Sequence, residues 1–255
     1  MKSLKDNLTA KIEHSIRRRV DHYFHPLGIN LMPKAYPPVS AGDSRQQVFD
    51  EIFDSNSWGS SESRSGVGSE LEFTKQYRGK LVELLSQENI RSIIDAPCGD
   101  LVWMPEVLKE IDLEYVGGDI SSHLVAGLKL KYPMLDIRKF DICVDSFPDV
   151  DLWHCRDCLF HLPNKDIFAA LENFARSNVP WALITSHQSL FHRNLDVAVG
   201  GFRLLDLERA PFRLPPPTAR LSDYQRGKDF PRYLGLWSRQ AIAEALQRNH
   251  KKSRG

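Results

Sequence analysis

Long hydrophobic runs are missing from this sequence of 255 residues. No apolar stretch approaches the roughly 20 residues that a membrane-spanning helix needs. An excess of one charge is missing as well, because 34 basic residues nearly balance 33 acidic ones. Non-specific binding to nucleic acid needs a clear positive excess. We therefore expect no membrane span and no nucleic-acid partner.

Cysteine is scarce, with four residues in the whole chain. Cys155 and Cys158 form a CxxC pair, but a structural zinc site needs four ligands and no second pair has a suitable spacing. The N-terminus also lacks the apolar core of roughly 7 to 15 residues that a signal peptide contains. The sequence thus predicts reduced thiols, no metal site and a cytoplasmic protein.

The N-terminal segment differs in character from the rest of the chain. In residues 1–24, apolar side chains recur at helical spacing beside the basic cluster Arg17 to Arg19, which predicts an amphipathic helix. This helix either docks on its own domain or contacts a membrane surface or a partner. Residues 25–44 contain four prolines and two glycines and are predicted to be a linker. We therefore divide the chain into residues 1–44 and a domain of residues 45–255.

Within that domain, strand-like and helix-like segments alternate, a pattern typical of a parallel sheet covered by helices. Ser69 is a suitable N-cap for a helix that runs to about residue 87. Strands are then predicted near residues 92–95, 114–119, 136–140, 151–155 and 181–186, with helices near 101–111, 121–131 and 164–176. Two further strands, in residues 200–207 and 232–238, and a helix over 239–247 complete a doubly wound α/β fold.

The first strand runs into the turn IIDAPCGD, shaped by Pro97 and Gly99. A dinucleotide site would need GxGxxG here, so that the backbone can approach a pyrophosphate. This turn has one glycine, and the carboxylates of Asp95 and Asp100 would repel a phosphate. The turn therefore favours a ligand that is neutral or cationic at this point.

The next two strands also end in acidic residues. Asp119, in GGDIS, follows Asp95 by 24 residues, close to the roughly 20-residue spacing at which an acid meets ribose hydroxyls. Its carboxylate can accept hydrogen bonds from both hydroxyls. In FDIC, Asp141 can accept from an adenine amino group while Ile142 lies against the ring. Together the three acids match an adenosine that carries an amino acid and no phosphate.

The motifs DAPCGD, GGDIS and FDIC resemble, in order and spacing, those of the class I S-adenosylmethionine-dependent methyltransferases, over about residues 69–245. Pro97 stands where that family usually has its first motif glycine. The resemblance implies a Rossmann-like sheet of seven strands with S-adenosylmethionine as cofactor. The cofactor-binding residues it implies are Trp58, Asp95, Pro97, Gly99, Asp119, Ile120, Asp141, Ile142 and Arg156.

In methyltransferases of this class the end of the fourth strand lies beside the reactive methyl group, which makes Asp157 and His161 candidates for catalysis. If their segment is helical, a spacing of four residues puts them on one face. His187, after the fifth strand, has an unperturbed pKa near 6.5 and could take a proton from a hydroxyl. The alternative is that either histidine only packs or hydrogen-bonds in its loop.

Two flanking stretches, WGSSESRSGVGS and NLDVAVGGFRLLDLERAPFRLPPP, resemble a bacterial group of methyltransferases that includes a fucose 2-O-methyltransferase. The resemblance implies a lid in residues 45–68 that contains Trp58. It also implies a substrate-facing insertion in residues 187–232, with Asn194, Asp196 and Arg203 as polar contacts. The predicted reaction is O-methylation of a small-molecule or glycan hydroxyl. The alternatives are a non-catalytic methyltransferase-like scaffold, or an amine, carboxylate or RNA acceptor.

Overall fold

The computed structural model describes residues 35–36, 44–188, 193–225 and 229–252. The predicted helix of residues 1–24 and most of the linker lie outside these ranges. The helices are α1 (Arg45–Asp54), α2 (Leu71–Gln87), α3 (Met104–Glu110), α4 (Ser122–Lys131), α5 (Asn164–Arg176) and α6 (Arg239–Lys252), with 3₁₀ turns at Val67–Ser69 and Leu159–His161. The strands are β1 (Ala35–Tyr36), β2 (Ser92–Asp95), β3 (Glu114–Asp119), β4 (Asp136–Lys139), β5 (Leu152–Cys155), β6 (Trp181–His187), β7 (Phe202–Arg203), β8 (Ala219–Ser222) and β9 (Arg232–Ser238).

The main sheet has seven strands in the order β4-β3-β2-β5-β6-β9-β8. The first five are parallel, while β9 runs antiparallel to both β6 and β8. The predicted doubly wound α/β fold is therefore confirmed. Because β2 pairs with β3 on one side and with β5 on the other, the strand order reverses at β2. A crevice opens outside the carboxyl ends of the strands at such a point, and ligands bind there.

The core lies on both faces of this sheet. Successive residues of a strand point to opposite faces, and Ile94, Trp153 and Ile184 accordingly belong to one buried cluster with residues of α5 and α6. Their neighbours along the same strands belong to a second cluster with residues of α2, α3 and α4. Burial on both faces explains why β2, β5 and β6 read as nearly continuous apolar runs. Among the described helices, none is both long and apolar enough to cross a membrane.

Of the predicted strand in residues 200–207, only Phe202–Arg203 forms a strand, and it is not part of the main sheet. Phe202–Arg203 pairs only with β1, in a separate sheet of two strands. One edge strand of the main sheet is β8, which lies in a stretch where no strand was predicted. Of its four residues only Leu221 is buried. An edge strand of this kind has almost no apolar alternation, so the sequence carries little signal for it.

Two predicted helix starts are also wrong. The helix after β2 begins at Met104 and not at residue 101, because Leu101 has a φ of 54° and the chain is not helical there. Helix α2 begins at Leu71, and its N-cap position is Glu70. Ser69 instead ends the preceding 3₁₀ turn. In both places a tight turn separates the loop from the helix.

Candidate functional site

A cavity lies at the carboxyl ends of β2, β3 and β5, where the strand order reverses. It is lined by Phe49, Phe53, Trp58, Arg64, Ser65, Ser69, Asp95, Pro97, Cys98, Gly99, Trp103, Asp119, Ile120, Ser121, Leu124, Arg156, Asp157, Cys158 and His161. A smaller, more apolar cavity beside it is lined by Arg45, Phe49, Pro97, Ile120, Phe140, Asp141, Ile142, Cys143, Cys158 and Leu162. We call the first the main cavity and the second the side cavity. Most of the predicted site residues thus line two adjoining cavities, which share Phe49, Pro97, Ile120 and Cys158.

Asp119 joins the ends of β2 and β3. One of its carboxylate oxygens accepts a hydrogen bond from the Ser121 N–H at 2.9 Å, and the other accepts one from the Gly99 N–H at 3.2 Å. Burial raises the pKa of Asp119 to about 6. Each carboxylate oxygen has a second lone pair. The residue can therefore accept further hydrogen bonds from hydroxyl groups of a ligand in the main cavity.

Asp141 lies at the edge of the side cavity, whose walls include Ile120 and Ile142. Its carboxylate accepts a hydrogen bond from the Cys143 N–H at 2.9 Å and forms an ion pair with Arg45 at 2.8 Å. Arg45 begins α1 and also lies 3.2 Å from Asp166. Sequence reasoning missed Arg45, because nothing in its local pattern marks it. The pair holds the start of α1 against the side cavity.

Asp95 is committed to contacts within the protein. Its two oxygens bond to His154 Nδ1 at 2.6 Å and to the Tyr115 hydroxyl at 3.0 Å, and His154 Nε2 lies 2.8 Å from the Tyr77 hydroxyl. All four side chains are buried. Sequence reasoning missed His154 as well, although a histidine inside the apolar run of β5 was a usable signal. Of these four residues, Asp95 lines the main cavity, and the other three hold its carboxylate in place.

The segment of residues 45–68 is tied to the turn after β2. Both carboxylate oxygens of Asp100 accept hydrogen bonds from it, one from the Ser63 hydroxyl at 2.9 Å and one from the Arg64 N–H at 2.8 Å. The Asp100 N–H in turn donates to the Ser65 hydroxyl at 3.0 Å. Asp100 is therefore an anchor for this segment and not a contact for a ligand.

Trp58 lies on the same segment and stacks on His161, with ring centroids 4.9 Å apart and an interplanar angle of 25°. Both rings line the main cavity. The segment from α1 to the first 3₁₀ turn also contributes Phe49, Phe53, Arg64 and Ser65 to that lining. This arrangement is compatible with a lid.

The two charged residues that follow β5 are held in ion pairs. The Arg156 guanidinium contacts Asp223 through two nitrogens, at 2.9 and 3.1 Å, and donates to the Gly68 carbonyl at 2.8 Å. Asp157 pairs with Arg232 at 3.0 Å. Burial alone would raise the pKa of Asp157, but Arg232 and Arg156 outweigh it and the pKa is lowered. The carboxylate of Asp157 is therefore ionised and already engaged by two arginines.

Asp157 and His161 do not share a helical face. Asp157 has a φ of 53°, in the left-handed region, and His161 ends the second 3₁₀ turn. The Nδ1 of His161 donates to the Gly201 carbonyl at 2.7 Å, which leaves Nε2 as the unprotonated nitrogen of a neutral ring. Burial lowers the pKa of His161 to about 4. The ring therefore stays neutral at physiological pH, with a lone pair available at Nε2.

His187 has the opposite arrangement. Its Nδ1 accepts a hydrogen bond from the Leu205 N–H at 3.1 Å, so the proton of the neutral ring is on Nε2. The side chain is buried and is absent from the described lining of the main cavity. The structure thus separates two histidines that sequence reasoning could not rank.

The three residues predicted to contact a substrate hold their loop together. Arg203 is fully buried and donates to Asn164 Oδ1 at 2.7 Å and to the Leu162 carbonyl at 2.8 Å. Asn194 exchanges hydrogen bonds with the backbone of Asp206, at 2.8 and 2.9 Å. Asp196 accepts from the Asn164 N–H at 2.8 Å. None of the three belongs to the described lining of either cavity.

No protein-family model and no curated protein matches the chain. Solved structures do match. Magnesium protoporphyrin IX methyltransferase from Synechocystis PCC 6803, with bound S-adenosylhomocysteine, aligns with a TM-score of 0.54 at 11% identity, over 76% of this chain and 97% of that one. 1,6-Didemethyltoxoflavin-N1-methyltransferase from Burkholderia thailandensis aligns with a TM-score of 0.53 at 16% identity, over 79% of this chain and 93% of that one. The chain therefore has the Rossmann-like fold found in class I methyltransferases.

Proposed function

We propose that this protein is an S-adenosylmethionine-dependent methyltransferase that methylates a hydroxyl group of a small molecule or glycan. One observation carries the proposal. Asp119 and the Nε2 of His161 line the main cavity, and Asp141 lines the adjoining side cavity at the reversal of strand order. A potential ribose contact and a potential proton acceptor thus line the same cavity.

The described residues fit this cofactor. Asp119 offers acceptor lone pairs for the ribose hydroxyls, and the apolar side cavity suits the adenine ring, with Asp141 at its edge for the amino group. Asp95, Asp119 and Asp157 line the main cavity. Their carboxylates favour a positively charged ligand over one that carries phosphates. The two solved structures with similar folds contain S-adenosylhomocysteine.

The bound cofactor would supply an electrophilic methyl group, so the protein has to align the acceptor and exclude water. His161 Nε2 accepts the proton that leaves the acceptor hydroxyl, and the Gly201 carbonyl holds the ring orientation through Nδ1. The negative charge of Asp157 acts on His161 and favours its protonated form. Asp157 therefore assists the histidine without taking the proton itself. His187, which lies outside the cavity lining, holds the backbone of Leu205.

This arrangement of groups supports a hydroxyl acceptor. An alcohol has a pKa far above neutral, and a general base lowers the barrier as its proton leaves. A carboxylate acceptor would gain nothing from the neutral imidazole of His161. Trp58 gives the cavity an apolar wall beside that base, and such a surface suits the C–H face of a sugar ring. These features favour a glycan or another hydroxylated metabolite.

Two measurements test the proposal. Calorimetry should show saturable binding of S-adenosylmethionine and none of NAD; binding of neither would favour a non-catalytic scaffold. His161→Gln should leave cofactor affinity within about twofold and lower the rate of transfer to a hydroxylated acceptor roughly 100-fold or more. His187→Gln is the matched control and should slow transfer less. Equal rates for His161→Gln and the unaltered protein would rule out base catalysis by this residue.

A further inference from the structure

Two arginines line the main cavity, and their surroundings differ. Arg156 is almost completely buried, and its guanidinium is occupied by Asp223 and by the Gly68 carbonyl. Arg64 is exposed and lies over the Phe53 ring, with its guanidinium carbon 5.4 Å from the ring centroid. Within the described part of the chain, no carboxylate forms an ion pair with the Arg64 side chain. Arg64 is thus the cation at this cavity whose charge is not already matched.

The backbone of Arg64 is nevertheless held in place. Its N–H donates to Asp100 Oδ2 at 2.8 Å. Asp100 follows Gly99, whose own N–H donates to Asp119. One turn therefore fixes both the backbone of Arg64 and the carboxylate proposed to bind the ribose. Arg64 also lines an adjoining open cavity, so it lies between the main cavity and solvent.

A bound S-adenosylmethionine brings one anionic group, the α-carboxylate of its amino-acid arm. The other charged groups that line the main cavity are carboxylates, apart from the occupied Arg156, and His161 is neutral there. A carboxylate brought into this cavity needs a cation, because burying it unpaired is costly. We infer that Arg64 binds the α-carboxylate of the cofactor and thereby holds the segment of residues 45–68 closed over it.

This inference rests on the proposed function. It also gives different roles to Arg45 and Arg64, the arginines at the two ends of the segment of residues 45–68. Arg45 is paired with Asp141 and Asp166 and holds the adenine end of the segment. At the opposite end Asp100 already anchors the segment, and Arg64 adds a contact when a carboxylate is present. A methyl acceptor with its own anionic group could also pair with Arg64. A binding experiment with the cofactor and no methyl acceptor excludes that partner.

The test compares S-adenosylmethionine with its decarboxylated analogue, which keeps the adenosine, the sulfonium and the amine. Calorimetry on the full chain should give a dissociation constant about tenfold or more higher for the analogue, as expected for the loss of one charge-assisted contact. In Arg64→Gln the two ligands should bind within about twofold of each other, and Arg64→Lys should restore part of the difference. Arg248→Gln, an exposed substitution on α6, is the control that changes charge at a distance.

The possible results separate the role of Arg64 from the proposed function. Binding of both ligands with the same preference in Arg64→Gln as in the unaltered chain would overturn the role of Arg64 and leave the proposed function standing. A preference lost equally in Arg248→Gln would show a general effect of charge and would also overturn it. Binding of neither ligand would remove the cofactor assignment and this inference with it.

Discussion

Polar side chains in two parts of the molecule are used in different ways. At the carboxyl ends of β3 and β4, Asp119 and Asp141 face cavities. In the long connection after β6, Arg203 donates to the Leu162 carbonyl and Asn194 to the Asp206 carbonyl, so both side chains hold the loop in place. A long loop has many backbone N–H and C=O groups that need hydrogen-bond partners, and it has no neighbouring strand or helical turn to supply them. Side chains supply them instead. A polar residue in such a loop is therefore weaker evidence for ligand binding than one at a strand end.

The largest effect that tests this difference is expected at Arg203. Arg203→Leu leaves the Asn164 amide oxygen and the Leu162 carbonyl without their donor, so we expect the free energy of unfolding to fall by about 3 kcal/mol. Urea denaturation measures it. Arg209→Leu, at an exposed position of the same loop, should change stability by less than about 0.5 kcal/mol. If Arg203→Leu kept its stability but bound the methyl acceptor more weakly, Arg203 would be a substrate contact and not a structural residue.

At the strand end the expected loss is in binding. Asp119→Ala removes a carboxylate that the ribose hydroxyls would use and leaves the Gly99 and Ser121 N–H groups unpaired. We expect cofactor affinity to fall roughly 100-fold, the scale of hydrogen bonds to a charged group. Calorimetry with S-adenosylhomocysteine measures it, and circular dichroism checks that the variant folds. Unchanged affinity would show that Asp119 does not contact the ribose.

The turn between these groups can be tested at Gly99. It has a φ of 56°, and an added Cβ would lie 2.5 Å from the Ser65 hydroxyl oxygen. Gly99→Ala should therefore cost about 1–2 kcal/mol of unfolding free energy and displace the segment that carries Arg64. Gly127, in α4, has open space around its Cβ position, so Gly127→Ala should stabilise the protein by about 0.5–1 kcal/mol. Equal effects of the two substitutions would contradict the packing at Gly99.

The smallest expected effect is one of pH. Burial raises the pKa of Asp119 from 3.8 to about 6. Between these two pH values the folded chain keeps a proton on Asp119 that the unfolded chain has lost. This term favours folding at low pH and is lost as pH rises through 6. The proposed ribose contact uses the ionised form, so cofactor binding should weaken about tenfold between pH 7 and pH 5. Asp119→Asn should remove that dependence; an equal dependence in the variant would assign it to another group.

Much of the fold could be predicted because its signals are local. The apolar runs of β2, β5 and β6 and the acids that end β2, β3 and β4 can be identified within a few residues of sequence. The edge strand β8 and the late start of α3 could not. In β8 only one side chain is buried, so its sequence shows no apolar pattern. The late start of α3 depends on the positive φ of Leu101, and leucine, unlike glycine, does not signal such a conformation.

The sequence by itself determined the parallel sheet, the position of the strand ends and the acids placed there, since periodicity and turn chemistry act over short distances. Only the tertiary structure decided what each polar group does. The Arg45–Asp141 pair joins residues 96 positions apart, and the His154–Asp95 contact joins residues 59 apart. His161 and His187 differ because one meets the carbonyl of Gly201 and the other the N–H of Leu205. Folding brings those partners to the two rings. The residues next to His161 in the sequence therefore do not show that its Nε2 keeps a lone pair.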